Sequence, residues 1–506
     1  MKKKQRGGSS VLKRIRQVLA VIAIVLIILL FVDFSGTSAR LFGWMARIQL
    51  LPALLALNFV VVAAIVAATL LFGRVYCSVI CPLGIAQDIV ARLGLKAHRN
   101  RYFHSPARNV LRYGFLAFMV IALVAGFGSI AGLIAPYSAF GRIVTSFLSP
   151  VWVWGNNLLA AWSESAGNYW FARVDGPNHL WTVIAVAAAT AIIIGVLAWR
   201  NGRTWCNTVC PVGTVLGLLS RFSLFRPVID TSKCNGCGSC ARNCKSACID
   251  PKNHTVDCSR CVACMDCMSV CTKGAISYTR RRKAKEEIKA AVAPETADKG
   301  RRSFLTITAT MAGAAAMSGT EKSVDGGLAV IEDKRIPERG TRIVPPGAVG
   351  ISHLTQHCTA CQLCVSACPN GVLRPSDDLG SLMQPEASYE NGFCRPECTR
   401  CSDVCPTGAI LPVSREEKSS IQIGRAVWVR ENCLPASEGV HCGNCARHCP
   451  VGAISMIRPA TGGRRRLRIP SVDTERCIGC GSCEYHCPAR PFSAIYVEGN
   501  RRHRII

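Results

Sequence analysis

The chain has 506 residues and 30 cysteines, and most of the cysteines fall into one spacing, C-x2-C-x2-C-x3-C. Three close thiolates in that pattern clasp one 4Fe-4S cubane while the fourth reaches across to a second. Soft thiolate ligands suit such clusters. Two copies lie mid-chain, Cys234, Cys237, Cys240, Cys244 and Cys261, Cys264, Cys267, Cys271. The usual crossing gives one cluster on Cys234/Cys237/Cys240/Cys271 and another on Cys261/Cys264/Cys267/Cys244. Lys245 and Thr272 stand where a proline commonly follows the last cysteine.

Four further motifs follow, each ending in Cys-Pro: Cys358, Cys361, Cys364, Cys368; Cys394, Cys398, Cys401, Cys405; Cys433, Cys442, Cys445, Cys449; and Cys477, Cys480, Cys483, Cys487. The middle two have stretched first spacings. Four motifs imply four cubanes, six in all with the mid-chain pair. Nested pairing is the favoured expectation. It gives Cys358/Cys361/Cys364/Cys487, Cys477/Cys480/Cys483/Cys368, Cys394/Cys398/Cys401/Cys449 and Cys433/Cys442/Cys445/Cys405. Sequential pairing uses the same ligands. Zinc knuckles need separated C-x2-C pairs, and a disulfide framework needs no such repeated spacing, so both fit less well.

Six cysteines remain. Cys248 and Cys258 flank IDPKNHTVD, which reads as a small hairpin placing them opposite each other. Cys77, Cys81, Cys206 and Cys210 belong to an internal repeat, GRVYCSVICPLG (Gly73 to Gly84) and GRTWCNTVCPVG (Gly202 to Gly213). The proline suits the first turn of a helix, which puts Cys81 and Cys210 at helix N-termini. An additional redox or metal site and a structural turn that docks the mid-chain cluster domain are both open readings.

The positioning elements are apolar. Val18–Val32, Leu50–Phe72, Gly114–Ala135 and Trp181–Trp199 are runs that predict four crossings. Lysine and arginine crowd the N-terminus and the segment from Arg74 to Arg108, whereas 33–49 and Pro136–Leu180 are nearly free of them. Positive loops stay in the cytoplasm, so the N-terminus and the mid-chain motifs are expected inside. Trp152, Trp154, Trp162, Trp170 and Trp181 then belong to an outer aromatic belt. A fifth run, Phe304–Met317, follows Arg301 and Arg302 and has the look of a twin-arginine export signal. That would place the last four motifs outside, already folded around their clusters.

On these residues the chain resembles a family. Residues 1 to about 285 resemble NapH-type (MauN-like) membrane ferredoxins, and those from about 300 onward resemble NapG-type (MauM-like) exported ferredoxins, as if two partners were fused. The expected fold is an α-helical membrane domain of four to five transmembrane helices with α+β ferredoxin-like 4Fe-4S domains. The domains are 1–225 (membrane), 226–280 (cytoplasmic, two clusters), 281–345 (linker and signal) and 346–506 (external, four clusters). The resemblance implies multi-pass residence in the bacterial inner membrane and electron transfer from the quinol pool to an extracytoplasmic reductase or carrier. The alternative is a maturation factor that supplies electrons for cofactor assembly in an exported enzyme.

No catalytic residue stands out. Glu164, His179, His98 and His104 read as solvated loop residues. The net charge of +29 follows membrane topology and gives no case for nucleic acid. The basic runs Gly462–Arg468 and Arg501–Arg504 suit an acidic redox partner, with a solvated face or disordered tail as the other reading.

Overall fold

The computed structural model describes residues 2–98, 102–174, 181–280, 324–325, 329–330, 334–459 and 467–506. The twin-arginine-like stretch, His179 and nearly all of the basic run 462–468 lie outside them, as does the side chain of His98. Among the described residues, two helices are long and apolar enough to cross a membrane: Val11–Val32, within the helix Lys2–Val32, and Trp181–Asn201. A bent pair, Gly128–Ile134 with Pro136–Ser165, makes a third if taken as one span bent by 78°. The expectation of four to five spans is therefore corrected.

The reason is local. The run Leu50–Phe72 is broken into Leu50–Leu55 and Phe59–Phe72, because Leu57 takes φ +53° and the Asn58 side chain accepts from Val61 N to start a new helix. Such an N-cap satisfies a donor the helix start leaves bare. The run Gly114–Ala135 is broken at Gly126, φ +83°, into Asn109–Val124 and Gly128–Ile134. The resulting pieces of 14 and 16 residues reach about 21 and 24 Å as helix, short of a bilayer core of about 30 Å. The stretch expected as an outer loop from Pro136 instead contains the helices Pro136–Ile143 and Ser149–Ser165, joined through a π-turn. The helix Ser149–Ser165 leaves Trp152, Trp154 and Trp162 exposed.

Each of the two long helices carries a cysteine-rich domain at each end. At one end, Lys13 pairs with Asp266 (2.9 Å), and Arg203 N, just past Trp181–Asn201, donates to the Lys245 carbonyl at 2.8 Å. Tyr278 Oη also donates to the Phe72 carbonyl there, at 2.7 Å. At the other end, Arg400 Nη1 donates to the Phe34 carbonyl (2.8 Å), and Val183 packs with Ala360 and Met383. Glycines make the second docking close: a β-carbon on Gly132 would lie 2.1 Å from the Thr359 carbonyl, and one on Gly141 would lie 2.5 Å from the Cys361 carbonyl.

The three cysteine-rich units share one plan. In the mid-chain unit, Phe225–Ile229 pairs antiparallel with Ile276–Arg280, and the hairpin Ile249–Asp250/Thr255–Val256 sits between the motifs. In the last unit, Ile421–Trp428 pairs with Ile495–Ile505, and Ile454–Ile457/Ile469–Val472 lies between the motifs. The middle unit keeps the inner pair, Leu373–Pro375/Pro385–Ala387. The basic run Arg501–Arg504 is thus strand rather than tail, with Arg501, Arg502 and Arg504 exposed.

Candidate functional site

The ligand loops are built from residues with left-handed backbone. Each of the four regularly spaced motifs takes positive φ at the second and fourth residues after its first cysteine. These are Gly236/Gly238, Ala263/Met265, Ala360/Gln362 and Gly479/Gly481, with φ between 49° and 76°. Such alternation turns successive N–H groups inward as an anion-binding nest, and Ala360 N lies 3.4 Å from Cys358 Sγ. Ala263, Met265, Ala360 and Gln362 adopt a conformation that side chains disfavour by about 1 kcal/mol or more, which marks these loops as shaped for a ligand. The two stretched motifs lack this pattern.

The thiols converge in fours. Cys234, Cys237, Cys240 and Cys271 line one pocket, and Cys261, Cys264, Cys267 and Cys244 line another. In the carboxy-terminal region the nested expectation is overturned. Cys394, Cys398 and Cys401 share a pocket with Cys368, and Cys433, Cys442 and Cys445 share one with Cys487. Charge on Cys405 would push the Cys358, Cys361 and Cys364 thiols up, and charge on Cys449 the Cys477 and Cys480 thiols, beside the larger effect of burial. Thiols of adjacent motifs lie together because a strand pair between them brings the motifs side by side with a short loop to close.

These residues fit 4Fe-4S clusters. Four motif thiols line each pocket, and soft thiolate ligands suit iron–sulfur groups. Burial pushes the Cys445 thiol up to about 11 and Cys264 up to about 12. Charge on those sulfurs therefore needs the positive iron beside them.

Cys248 and Cys258 do not face each other. The hairpin register pairs Ile249 with Val256, so Cys248 stands opposite Asp257. Cys248 Sγ lies 3.5 Å from Cys244 Sγ and also bonds Cys261. The hydrogen bond with Cys248 holds the Cys244 thiol below its ordinary value. Spacing counted from the centre of IDPKNHTVD misplaced Cys248 by one step; an even-numbered turn would have revealed it.

The two C-x3-C-P turns meet inside the bundle. Cys77, Cys81, Cys206 and Cys210 are each 3% exposed. Pro82 opens the helix Pro82–His98 and Pro211 the helix Pro211–Ser220, as expected, and Cys210 Sγ accepts from Gly213 N at 3.4 Å. The arginines of the repeat cross over. Arg203 Nη1 donates to the Cys77 carbonyl (2.7 Å), and Arg74 Nη2 donates to the Cys206 carbonyl (3.2 Å). Arg203 is fully buried on Asp88, which also holds Arg16 and Lys245. Burial alone would raise the Asp88 carboxyl, but these cations hold it well below the usual range. This ion cluster fastens the mid-chain domain to the bundle.

A cavity of about 1170 Å³ opens between the bundle and the carboxy-terminal domain. Val32, Phe34 and Val153 line one side; Cys368, Phe393 and His486 line the other. Of the residues read as solvated, Glu164 pairs with Arg173 at 2.8 Å on the surface, and His104 is exposed.

Comparison with known proteins matches these units. A family model described as a 4Fe-4S binding domain matches residues 54–100 and 181–229, the two stretches that hold the C-x3-C-P turns. Models described as 4Fe-4S dicluster domains match 357–435 and 439–490. The methylamine utilization ferredoxin-type protein MauM of Methylobacillus flagellatus is 35% identical over 30% of this chain and 66% of its own length. The ferredoxin-type protein NapG of Escherichia coli is 32% identical over 36% of this chain and 78% of its own. NapF of the same organism is 31% identical over 27% and 74%. The first of these is covered over about two thirds of its length.

Proposed function

Because this chain belongs to the ferredoxin-type 4Fe-4S electron-transfer proteins that include MauM and NapG, we propose that it carries electrons from the quinol pool across a membrane to an extracytoplasmic redox enzyme. The observation that supports this most is the placement of dicluster units at opposite ends of the same long helices. Six clusters, two on the cytoplasmic side and four outside, supply one-electron chemistry when bound. The protein's part is to hold them, exclude water and bring them into line. One continuous buried core runs from Val262 through Cys77, Cys81 and Cys210 to Cys358, Cys361 and Cys364.

Orientation follows from charge: the arginine- and lysine-rich end, with Lys13, Arg74 and Arg203, faces the cytoplasm. In this reading the chain is a multi-pass membrane protein in contact with lipid, supported by the two apolar helices and the bent pair beside them. The cavity beside Cys368 carries Val32, Phe34 and Val153 together with Ser149 and Arg173 on its bundle side, a mixed lining that suits the polar head and apolar ring of a quinol. Quinol-dependent bleaching of the cluster absorption in membranes tests the reading; no bleaching with any quinol, while dithionite bleaches fully, refutes it. In the maturation-factor reading, quinol turnover is negligible and deletion leaves a client enzyme without its cofactor.

A further inference from the structure

The bundle helix Pro136–Ile143 is buried from Pro136 to Arg142. It lies against the middle cysteine-rich unit: a β-carbon on Gly141 would meet the Cys361 carbonyl at 2.5 Å. The next residue, Arg142, is fully buried. Its Nη1 donates to the Gly132 carbonyl at 2.9 Å and its Nη2 to the Leu133 carbonyl at 3.0 Å. The end of the helix Gly128–Ile134 leaves such carbonyls bare, so two of the three guanidinium nitrogens have a structural task. The third has none: Nε is buried and lacks a partner among the described residues. No carboxylate among them pairs with Arg142 either, and the one ionisable side chain within its electrostatic reach is Cys361. Arg203, equally buried, rests instead on Asp88. A cation taken out of water needs a counter-charge, whereas a neutral amide could cap the same carbonyls.

Tyr137, earlier on the same helix, gives a second and separate observation. It is 2% exposed, and its hydroxyl is buried without a partner among the described residues. Phe31 packs on its ring, with centroids 5.7 Å apart, and Cys361 and Cys405 are both within its electrostatic reach. A buried hydroxyl left unbonded is unfavourable. Two side chains of one helix thus carry unsatisfied polar atoms beside the same group of thiols.

We propose that Arg142 is the counter-charge of the cluster on Cys358, Cys361, Cys364 and Cys405 and sets its midpoint potential, with the Tyr137 hydroxyl as a second donor to its sulfur. Net charge and hydrogen bonds to sulfur are the levers on such potentials. Reduction adds one electron to the site, supplied in the proposed conduction from the mid-chain side; no bond is made or broken and no proton moves. A fixed cation favours the more negative, reduced state and so raises the potential. The same sign of effect acts on a bare sulfur: burial pushes the Cys361 thiol up to about 12, and the Arg142 charge is among the groups that hold it back. Because Arg142 belongs to the bundle and the thiols to the docked unit, the docking itself tunes the cluster.

The inference rests on the cluster reading and takes its purpose from the proposed conduction, but its test uses neither quinol nor acceptor. Full-length protein purified anaerobically is titrated potentiometrically and followed by EPR, and the signal of this cluster is the one lost in Cys361→Ser. Arg142→Gln is expected to keep its iron and to move the midpoint of that signal negative while the others stay. Arg142→Lys, which keeps the charge, is expected to restore most of the shift. An unmoved midpoint in Arg142→Gln, or an equal shift in Arg142→Lys, overturns the inference, because the arginine then acts as a cap alone. If Arg142→Gln does not assemble its clusters, Tyr137→Phe is measured in its place. It removes only an unpartnered hydroxyl, and the same signal is expected to move negative; no movement overturns the inference. Protein without bound iron refutes the cluster reading itself, and failure of quinol to reduce the protein leaves these midpoints intact, so the readings fail separately.

Discussion

The Arg203 guanidinium reaches across the bundle to the Cys77 carbonyl, 2.7 Å away, while its other face rests on Asp88, also at 2.7 Å. One side chain thus ties the second C-x3-C-P turn to the first and both to the mid-chain domain through Lys245.

Removing the carboxylate leaves Arg203, Lys245 and Arg16 buried without it. Asp88→Asn is expected to destabilise the protein by about 3–5 kcal/mol, the usual consequence of breaking a buried ion pair from one side. Asp230→Asn, on an exposed pair with Lys233, is expected to change stability by less than about 1 kcal/mol. Denaturant midpoints followed by loss of visible absorption compare the two; equal effects would mean that the ion cluster does not fasten the domain.

The ligand pairing has a test in iron stoichiometry. With Cys405 completing the Cys358/Cys361/Cys364 site, Cys361→Ser and Cys405→Ser strike the same cluster. The double variant is then expected to lose about four irons, no more than either single variant. A loss of about eight would restore nested pairing.

Cys248 acts beside the cluster without belonging to it. Its S–H bonds the Cys244 and Cys261 sulfurs, and such bonds favour the more negative, reduced state. Cys248→Ala is expected to keep all iron and move one mid-chain midpoint negative, read by potentiometric EPR titration. Loss of iron would instead make Cys248 a ligand.

The carboxy-terminal domain carries a pH dependence at His503. Burial holds its imidazole down at about 4 from 6.5, and both ring nitrogens lack partners. The unfolded chain therefore binds a proton that the folded one refuses, so stability is full above about pH 6.5 and falls as pH drops towards 4. The loss is at most about 3 kcal/mol. Midpoints for His503→Leu are expected to vary less with pH across that window; an unchanged slope would show that another group governs it.

The cysteine spacings brought the grouped thiols into view because their grouping depends on local sequence: three thiols on one loop need no tertiary partner. Pairing between motifs was not visible in the same way, since either solution uses the same residues, and the strand pairs that decide it are only three or four residues long. Apolar runs indicated the bundle, but Leu57 and Gly126 interrupt two of them without any charge to show it. The helix Ser149–Ser165 escaped notice because its tryptophans suggested a membrane edge. The repeat GRxxC was legible; that Arg74 and Arg203 exchange partners across it was not, because reciprocity appears only once the two halves are folded together.

Conduction from one end of the bundle to the other is the central claim, and it is measured most directly in sealed vesicles. The purified protein is reconstituted with a membrane-impermeant oxidised dye inside and a membrane-impermeant reductant outside, and dye bleaching is followed. Bleaching that requires the protein, and that disappears with Cys264→Ser in the mid-chain unit or Gly132→Val at the outer docking face, is predicted. A dye that stays oxidised beside fully loaded wild-type protein, or bleaches equally with either variant, would contradict it.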